Sequence, residues 1–350
     1  METSSGMDSS MNGRTGSCLN SGINGDMHAW EKRNQSYDGM FQAGCGGVKD
    51  ITVPPDGRSE FVTFDTGKVL VTLPNSNVPV YYPLVHHPFR GPAKAVLMDL
   101  DGTSVKSEGF WIWIIEQTVC RLKNDPAFKL SEEDIPFVSG FSVSEHLRYC
   151  LEKYQLQATL ETAREYYFDI VHYEMQEIME GRGKEDAYTI SDGLKEFLLK
   201  LKEKDIKIGL VTSGLYEKAI PEIISGFRQM NHEEPNLGDP LEFYDAVITA
   251  GTAFRKGQAG TPGELCSKPH PWLYRETCEV GLGIHEEDFS KVVVLEDSSA
   301  GVIAGRLAGF DVIGMKDGNI EAAGLSGLVC KMADSLEDAL TYVLGEEEIF

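Results

Sequence analysis

Positive charge is scarce in this chain: 32 Lys and Arg stand against 55 Asp and Glu, for a net charge of -23. No stretch gathers Lys and Arg into a cluster. A nucleic-acid binder needs a basic face, so DNA or RNA is excluded as the expected partner. An anionic membrane surface is excluded for the same reason. Cysteine is also sparse. The seven residues Cys18, Cys45, Cys120, Cys150, Cys266, Cys278 and Cys330 are scattered, odd in number and without metal-ligand spacing. That excludes a disulfide framework and reads as reduced thiols. No apolar run approaches the roughly 18–20 residues that span a bilayer, and no basic-then-apolar leader opens the chain. The expectation is a soluble cytoplasmic protein.

The 350 residues suffice for two average domains, or for one domain carrying an insertion. Residues 1–50 are rich in Ser, Gly, Asn and Met and lack periodicity, so disorder is expected there. Residues 51–93 read as a small appendage. Within it, "EFVTFDTGKVLVT" alternates around Asp65-Thr66-Gly67 as a hairpin does, and "VPVYYPLVHHPFRGP" is held extended by its prolines. From Lys94 the pattern changes. "KAVLMDL", "DIKIGLVTSG", "DAVITAG", "KVVVLED" and "FDVIGM" are apolar strands of the doubly buried kind. Helices fit between them. Leu194, Phe197, Leu198 and Leu201 make one apolar stripe, and "SAGVIAGRLAG" runs from a Ser cap to Gly309. The alternation predicts an α/β fold with a doubly wound parallel sheet, built from 94–107 and 191–350. Residues 108–190 carry only helical patterns and read as an inserted helical domain. Both its connections leave from the sheet edge where ligands bind.

Four polar features meet at that edge: Asp99 and Asp101; Thr212-Ser213-Gly214; Lys268; and Glu296-Asp297. Four carboxylates against one lysine are unbalanced unless a hard divalent cation joins them. Mg²⁺ takes a few carboxylate oxygens and leaves positions for a phosphate. His86, His87 and His270 have no Cys or carboxylate at zinc spacing. Phe110, Trp111 and Trp113 open a helix and read as packing residues rather than a stacking platform.

"DLDGT" at 99–103, "LVTSG" at 210–214, Lys268-Pro269 and "VLEDSSAG" at 294–301 resemble, in order, the four motifs of haloacid dehalogenase-like hydrolases. Ser107-Glu108 sits where the phosphatase branch often has "SE". With each residue type at roughly 5–7%, the four fixed positions of the first motif recur by chance about once in 10⁵ positions. The helical insertion resembles the α-helical cap of the phosphoglycolate phosphatase and β-phosphoglucomutase branch, on a Rossmannoid core. The resemblance implies that Asp99 is the nucleophile and Asp101 the general acid and base. Thr212, Ser213, Gly214 and Lys268 would hold the phosphoryl group. Asp99, Asp297 and the Asp101 carbonyl would bind Mg²⁺, with Glu296 a ligand through water or a neighbour supporting the site. The expected substrate is a small phosphorylated metabolite, a sugar phosphate or phosphoglycolate; the state of assembly is left open.

The rival is a phosphomutase. Mutases of this branch carry a histidine ten residues after the acid/base aspartate, where this chain has Trp111. They also carry a cap arginine about where this chain has Val143. Hydrolysis is therefore the better reading. Phosphonate hydrolysis would need a cap lysine, for which Lys106 is the candidate; His146 and Arg148 are candidate cap contacts. The remaining alternative is a non-catalytic scaffold whose N-terminal segment binds a partner; no motif residue has been lost to support it.

Overall fold

Every residue from Ala95 to Asp99 is buried, because this strand runs through the middle of a sheet covered on both faces. The computed structural model describes residues 30–74, 80–137, 143–184, 187–250 and 266–346. An antiparallel sheet comes first: β1 (Glu31–Arg33), β2 (Val48–Val53), β3 (Glu60–Phe64), β4 (Val69–Thr72) and β5 (Tyr81–Pro83), in that spatial order. The β3–β4 hairpin turns at Asp65-Thr66-Gly67, where Gly67 has a φ of 79°.

The main sheet follows, with β6 (Ala95–Asp99) at its centre. Residues Val105–Lys106 (β7) and Thr189–Ile190 (β8) form a separate two-stranded ribbon. The other main strands are β9 (Lys207–Leu215), β10 (Ala246–Ala250), β11 (Val292–Glu296), β12 (Asp311–Met315) and β13 (Lys331–Ala333). The sheet runs β10-β9-β6-β11-β12-β13, all parallel. The register pairs Asp99 with Val211 on β9 and Met98 with Leu295 on β11. The polar ends of three strands therefore emerge side by side.

Between β7 and β8 lie α1 (Glu108–Lys123), α2 (Val143–Lys153) and α3 (Leu160–Met179). Charge favours α1, with Glu108 in its first turn and Arg121 and Lys123 in its last. Thr159 caps α3 by accepting from the Thr162 amide. Buried Asp134 accepts from Ser131, Tyr149, Tyr154 and Lys153, tying the α1–α2 connection to α2. The remaining helices flank the sheet: α4 (Leu194–Glu203), α5 (Tyr216–Met230), α6 (Pro240–Phe243), α7 (Trp272–Arg275), α8 (Ser299–Leu307) and α9 (Leu336–Leu344). The α4 stripe of three leucines and one phenylalanine is wholly buried, and Ser298 caps α8 through the Gly301 amide. Among the described residues no helix is long and apolar enough to cross a membrane.

Three expectations need correction. Residues 31–33 and 48–53 pair as strands, where composition pointed to disorder through residue 50. Trp30, Val48 and Ile51 are buried, and Trp30 packs its ring 4.8 Å from Phe61. A few apolar side chains in register are enough to hold a sheet that average composition hides. The appendage expected at 51–93 thus begins by residue 31; residues 1–29 lie outside the described residues. The β7–β8 ribbon also interrupts what read as helix alone, since two-residue strands carry no alternation to detect. A sixth main strand, β13, was hidden by its brevity.

The N-terminal sheet shares one apolar cluster with the main sheet, and Trp30 donates to the Gly324 carbonyl at 2.8 Å. The chain then runs extended to β6, and Asp311 at the start of β12 anchors it. One Asp311 oxygen meets His86 Nε2 at 2.8 Å and the other accepts the Phe89 amide at 2.7 Å. Arg306, only 1% exposed, donates to the same carboxylate at 2.7 Å. Burial alone would push the Asp311 carboxyl up; His86, the Phe89 amide and Arg306 together hold it below its ordinary value. Asp311→Ala should leave the Arg306 guanidinium buried without its counter-charge. The expected loss is about 3–5 kcal/mol, because one half of a buried ion pair remains. Urea unfolding of the two proteins measures it, and an unchanged midpoint would contradict this account.

Candidate active site

Asp99 ends β6, and the chain then turns within six residues. Ser104 Oγ donates to the Asp99 carbonyl at 2.6 Å, and the Gly102 amide donates to the Val105 carbonyl at 2.8 Å. This turn points Asp99 and Asp101 to the same edge. Gly102 is obligatory on two counts. Its φ is 89°, and a Cβ there would lie 2.1 Å from an Asp297 oxygen. Gly301 at the start of α8 is as constrained, since a Cβ there would fall 1.8 Å from the Glu296 carboxylate.

Lys268 reaches this edge from the loop before α7. Its ammonium contacts Asp99 Oδ1 and lies 2.6 Å from Glu296 Oε1. All three side chains are buried. Burial alone would pull the Lys268 ammonium down, but Asp99 and Glu296 outweigh it and hold the ammonium above its ordinary value. Glu296 has no spare oxygen. Oε1 also accepts from the Tyr274 hydroxyl, and Oε2 accepts from the Ser298 amide and hydroxyl. Its contacts make it the anchor for the lysine. Asp99 differs: burial first, and then the charge of Glu296, push its carboxyl well above the ordinary range. Asp297 is pushed up to about 7 by the same two causes in the same order.

Two orienting contacts hold the lysine loop. The Lys268 amide donates to Ser213 Oγ at 3.0 Å, so the Ser213 hydroxyl faces the loop. On the other side, the Tyr82 hydroxyl of β5 accepts from Trp272 Nε1 at 3.0 Å and meets His270 Nδ1 at 2.8 Å. The N-terminal sheet therefore touches the segment that carries the lysine, which nothing in the pattern of residues 51–93 foretold.

Asp101 is held from three elements. Ser107 Oγ donates to it at 3.0 Å and Thr212 Oγ1 at 3.2 Å. The Thr212 hydroxyl also accepts the Gly214 amide at 2.8 Å. Lys218 on α5 places its ammonium 3.6 Å from Asp101 and 3.9 Å from Glu222. Burial raises the Asp101 carboxyl, but Lys218 and these hydrogen bonds bring it below its ordinary value. Glu222 is fully buried, and burial followed by the charge of Asp101 pushes it well above the usual range. Lys218 and Glu222 escaped the sequence reading because a Lys and Glu four apart on a helix are the commonest kind of surface pair.

The donor set fits a hard divalent cation. Ligand atoms of Asp99, Glu296 and Asp297 lie within 4.8 Å of one another. They are all carboxylate oxygens, and burial first, then repulsion from Glu296, raises the carboxyls of Asp99 and Asp297 against the offset of Lys268. Thr103 Oγ1 steadies Asp297 at 3.4 Å.

Outward from Asp101 and Asp297 opens a cavity of about 1080 Å³ between the sheet edge and the α1–α3 helices. Trp111 and His146 line it, as does Lys106, whose ammonium pairs with Asp317 at 3.3 Å. Phe110 and Trp113 do not line it; Phe110 is buried against Trp113 and Tyr188, as packing residues are. Arg148 points to solvent. Val143 lines the cavity, while residues 138–142 around it lie outside the described residues.

Residues 93–309 match the haloacid dehalogenase-like hydrolases. Solved structures with a similar fold include a predicted phosphoglycolate phosphatase from Haemophilus somnus, at 16% identity and TM-score 0.53 over 72% of this chain and 98% of that one. A provisionally assigned β-phosphoglucomutase from Thermotoga maritima is 21% identical, at TM-score 0.51, over 73% of this chain and all of the other. A hydrolase of the same superfamily from Geobacter sulfurreducens is 16% identical, at TM-score 0.51, over 73% and 98%. At these identities the likeness concerns the fold. No curated protein matches the chain.

Lys268→Met tests the electrostatic balance. It leaves Asp99 and Glu296 buried without their shared cation, at an expected cost of about 3 kcal/mol near neutral pH. The Asp99 carboxyl already lies above its unfolded value, so the penalty is felt where it is ionised and fades as the pH falls and it protonates. Urea unfolding should show the gap to wild type closing as the pH is lowered from neutrality. A gap that widens instead would refute the assignment.

Proposed function

We propose, from the premise that this chain belongs to the haloacid dehalogenase-like hydrolases, that it is a Mg²⁺-dependent phosphatase acting on a phosphomonoester through an aspartyl-phosphate. One observation carries the reading: Asp99 is buried against Lys268 while Asp101, two residues on, faces the open cavity. A nucleophile and an acid thus stand on one edge with a fixed cation between the nucleophile and its neighbours.

Asp99 attacks phosphorus in line, forming the carboxylate–phosphorus bond as the ester P–O bond breaks. Lys268 offsets the charge that gathers on the phosphoryl oxygens. Asp101 gives its proton to the departing alkoxide. Lys218 and the Ser107 and Thr212 hydroxyls keep Asp101 ionised at rest; the arriving phosphate dianion raises its proton affinity, and it takes up from solvent the proton it then gives to the alkoxide. Water then attacks the aspartyl-phosphate at phosphorus and gives a proton to Asp101. The bond to Asp99 breaks and inorganic phosphate leaves. Mg²⁺ would be held by Asp99, Asp297 and the Asp101 carbonyl, and when bound it neutralises phosphoryl charge and templates the in-line geometry. Glu296, whose oxygens serve Lys268, Tyr274 and Ser298, supports the site without being needed as a direct ligand.

Hydrolysis is favoured over the mutase reading by what surrounds Asp101. Trp111 stands where the mutase histidine would, with the Lys218 ammonium 4.4 Å from its ring centroid. The indole offers no second acid or base with which to handle a bisphosphate. The soluble cytoplasmic placement stays part of this proposal, resting on the scattered cysteines and the lack of a long apolar run, as does the absence of nucleic-acid and membrane partners, resting on net charge.

Phosphate release from a panel of phosphomonoesters should require Mg²⁺, stop on chelation and return on adding the metal back. Asp99→Asn should abolish it, and Asp101→Asn should slow it by about 10²–10⁴-fold. Release that survives Asp99→Asn at the wild-type rate would refute the nucleophile. Conversion of one sugar phosphate isomer to another without free phosphate, seen by phosphorus NMR, would establish the mutase.

A further inference from the structure

The cavity beyond Asp101 does not suit the small polar leaving group expected of this branch. Its volume, about 1080 Å³, reaches the upper end of what drug-sized ligands occupy, roughly 300–1,000 Å³. An alcohol the size of glycolate would leave room for tens of waters at about 30 Å³ each. A charged reaction centre needs water excluded. The walls differ as well. Near the sheet edge stand Asp101, Asp297, Lys106 and Lys218, all polar. Opposite them, α1 contributes Trp111 and Ile115, and α3 contributes Tyr167, Phe168, Val171 and Met175. The spacings 111 and 115, and 167, 171 and 175, are single helix faces turned to the cavity. The imidazoles of His146 and His172 interrupt this surface.

Two of the lining side chains are exposed in a way that folding alone does not reward. Phe168 is 39% exposed and Leu215, across the cavity on the core side, is 54% exposed. Phe168 sits edge to face on Tyr167 at 5.3 Å and lies 6.5 Å from the His172 ring at an angle of 31°. Three rings in succession on α3 thus border the space. The polar lining groups Ser107, Glu217, Asp317 and Asn319 lie on the core side, whereas the α1–α3 wall is polar at Glu108, His146 and His172; a sugar hydroxyl buried against the apolar part of that wall finds no partner, which weakens binding.

Resting on the phosphatase reading above, we propose that the substrate is a phosphomonoester of a bulky aromatic alcohol, with its phosphate at Asp99 and Lys268 and its ring system against the α1–α3 wall. Lys106 and Lys218 then flank the phosphate end, and the apolar face of α3 binds the leaving group. Burying that ring covers Phe168 and Leu215 and displaces the water that a small alcohol would leave behind.

Non-hydrolysable phosphonates separate this proposal from catalysis. Calorimetry on the full chain with Mg²⁺ would compare 3-(2-naphthyl)propylphosphonate, propylphosphonate and the phosphonate isostere of glucose 6-phosphate. The naphthyl compound should bind about tenfold or more tighter than the propyl compound, from the added apolar area. Phe168→Ala, at an exposed position that threatens no packed core, should reduce that ratio. Equal affinities within about twofold, or preference for the sugar isostere, would overturn the proposal. Phosphate release from 2-(2-naphthyl)ethyl phosphate, ethyl phosphate and glucose 6-phosphate is read in parallel; all three leaving groups are primary alcohols. Naphthyl preference in binding with no phosphate released from any ester keeps the aromatic subsite and defeats the phosphatase reading. Phosphate release with no naphthyl preference does the reverse.

Discussion

The Lys268 ammonium is what allows Asp99 and Glu296 to be buried side by side. A carboxylate withdrawn from water without a partner costs several kcal/mol, so it protonates or moves. Here one cation serves two anions, and Tyr274 and Ser298 complete the coordination of Glu296. The arrangement is asymmetric. Glu296 is saturated with donors, whereas Asp99 is left with a second oxygen and a carboxyl pushed upward by its surroundings. A group so placed is poorly solvated and in contact with only one cation. It gains from any further positive charge or electrophile brought to it, which is why the proposed mechanism gives the attack to Asp99 and not to Glu296.

The parallel sheet makes that meeting possible. β6, β9 and β11 are neighbours in the same direction, so Asp99, Thr212 and Glu296 emerge on one edge with no long-range adjustment of the chain. Two glycines complete the geometry, since Gly102 and Gly301 bring backbone against the carboxylates of Asp297 and Glu296 at distances no Cβ would permit. The N-terminal sheet serves the edge too: Tyr82 meets His270 of the lysine loop, while Ser213 at the end of β9 accepts the Lys268 amide. The position of Lys268 thus depends in part on an element outside the main sheet.

How much of this was legible in the sequence follows from where the information lies. Asp99, Asp101, Thr212, Lys268, Glu296 and Asp297 stand at the ends of strongly apolar strands or in short fixed motifs, and both signals are local. The structure brings all six to one edge, and Asp101 and Asp297 open onto the cavity. Ser213 was singled out for the phosphate, yet its hydroxyl is turned to the Lys268 amide. Lys218 and Glu222 were not legible, because their meaning comes from the way α5 packs against the turn after β6, a relation no spacing records. The ordered strands before residue 50 were missed for a similar reason. Trp30, Val48 and Ile51 matter by their contacts with Phe61 and Val62, which belong to a later strand. Local pattern reveals what one segment does alone; pairing between segments leaves no trace in either of them.

The two halves of the site divide the work by chemistry. On the proposed mechanism the ionised groups beside the phosphate, Asp99, Asp101, Lys218 and Lys268, come from the core or from the turn after β6. The helical unit supplies mostly shape and apolar surface, through Trp111 on α1 and the ring-bearing face of α3. Trp111 joins the halves, since its ring lies under the Lys218 ammonium that also faces Asp101. On the proposed mechanism, a leaving group seated against the indole is one side chain away from Asp101, the group assigned to protonate it. On this geometry, selectivity and proton delivery draw on the same contact, so an alcohol that fits the wall badly should be disfavoured in the chemical step as well as in binding.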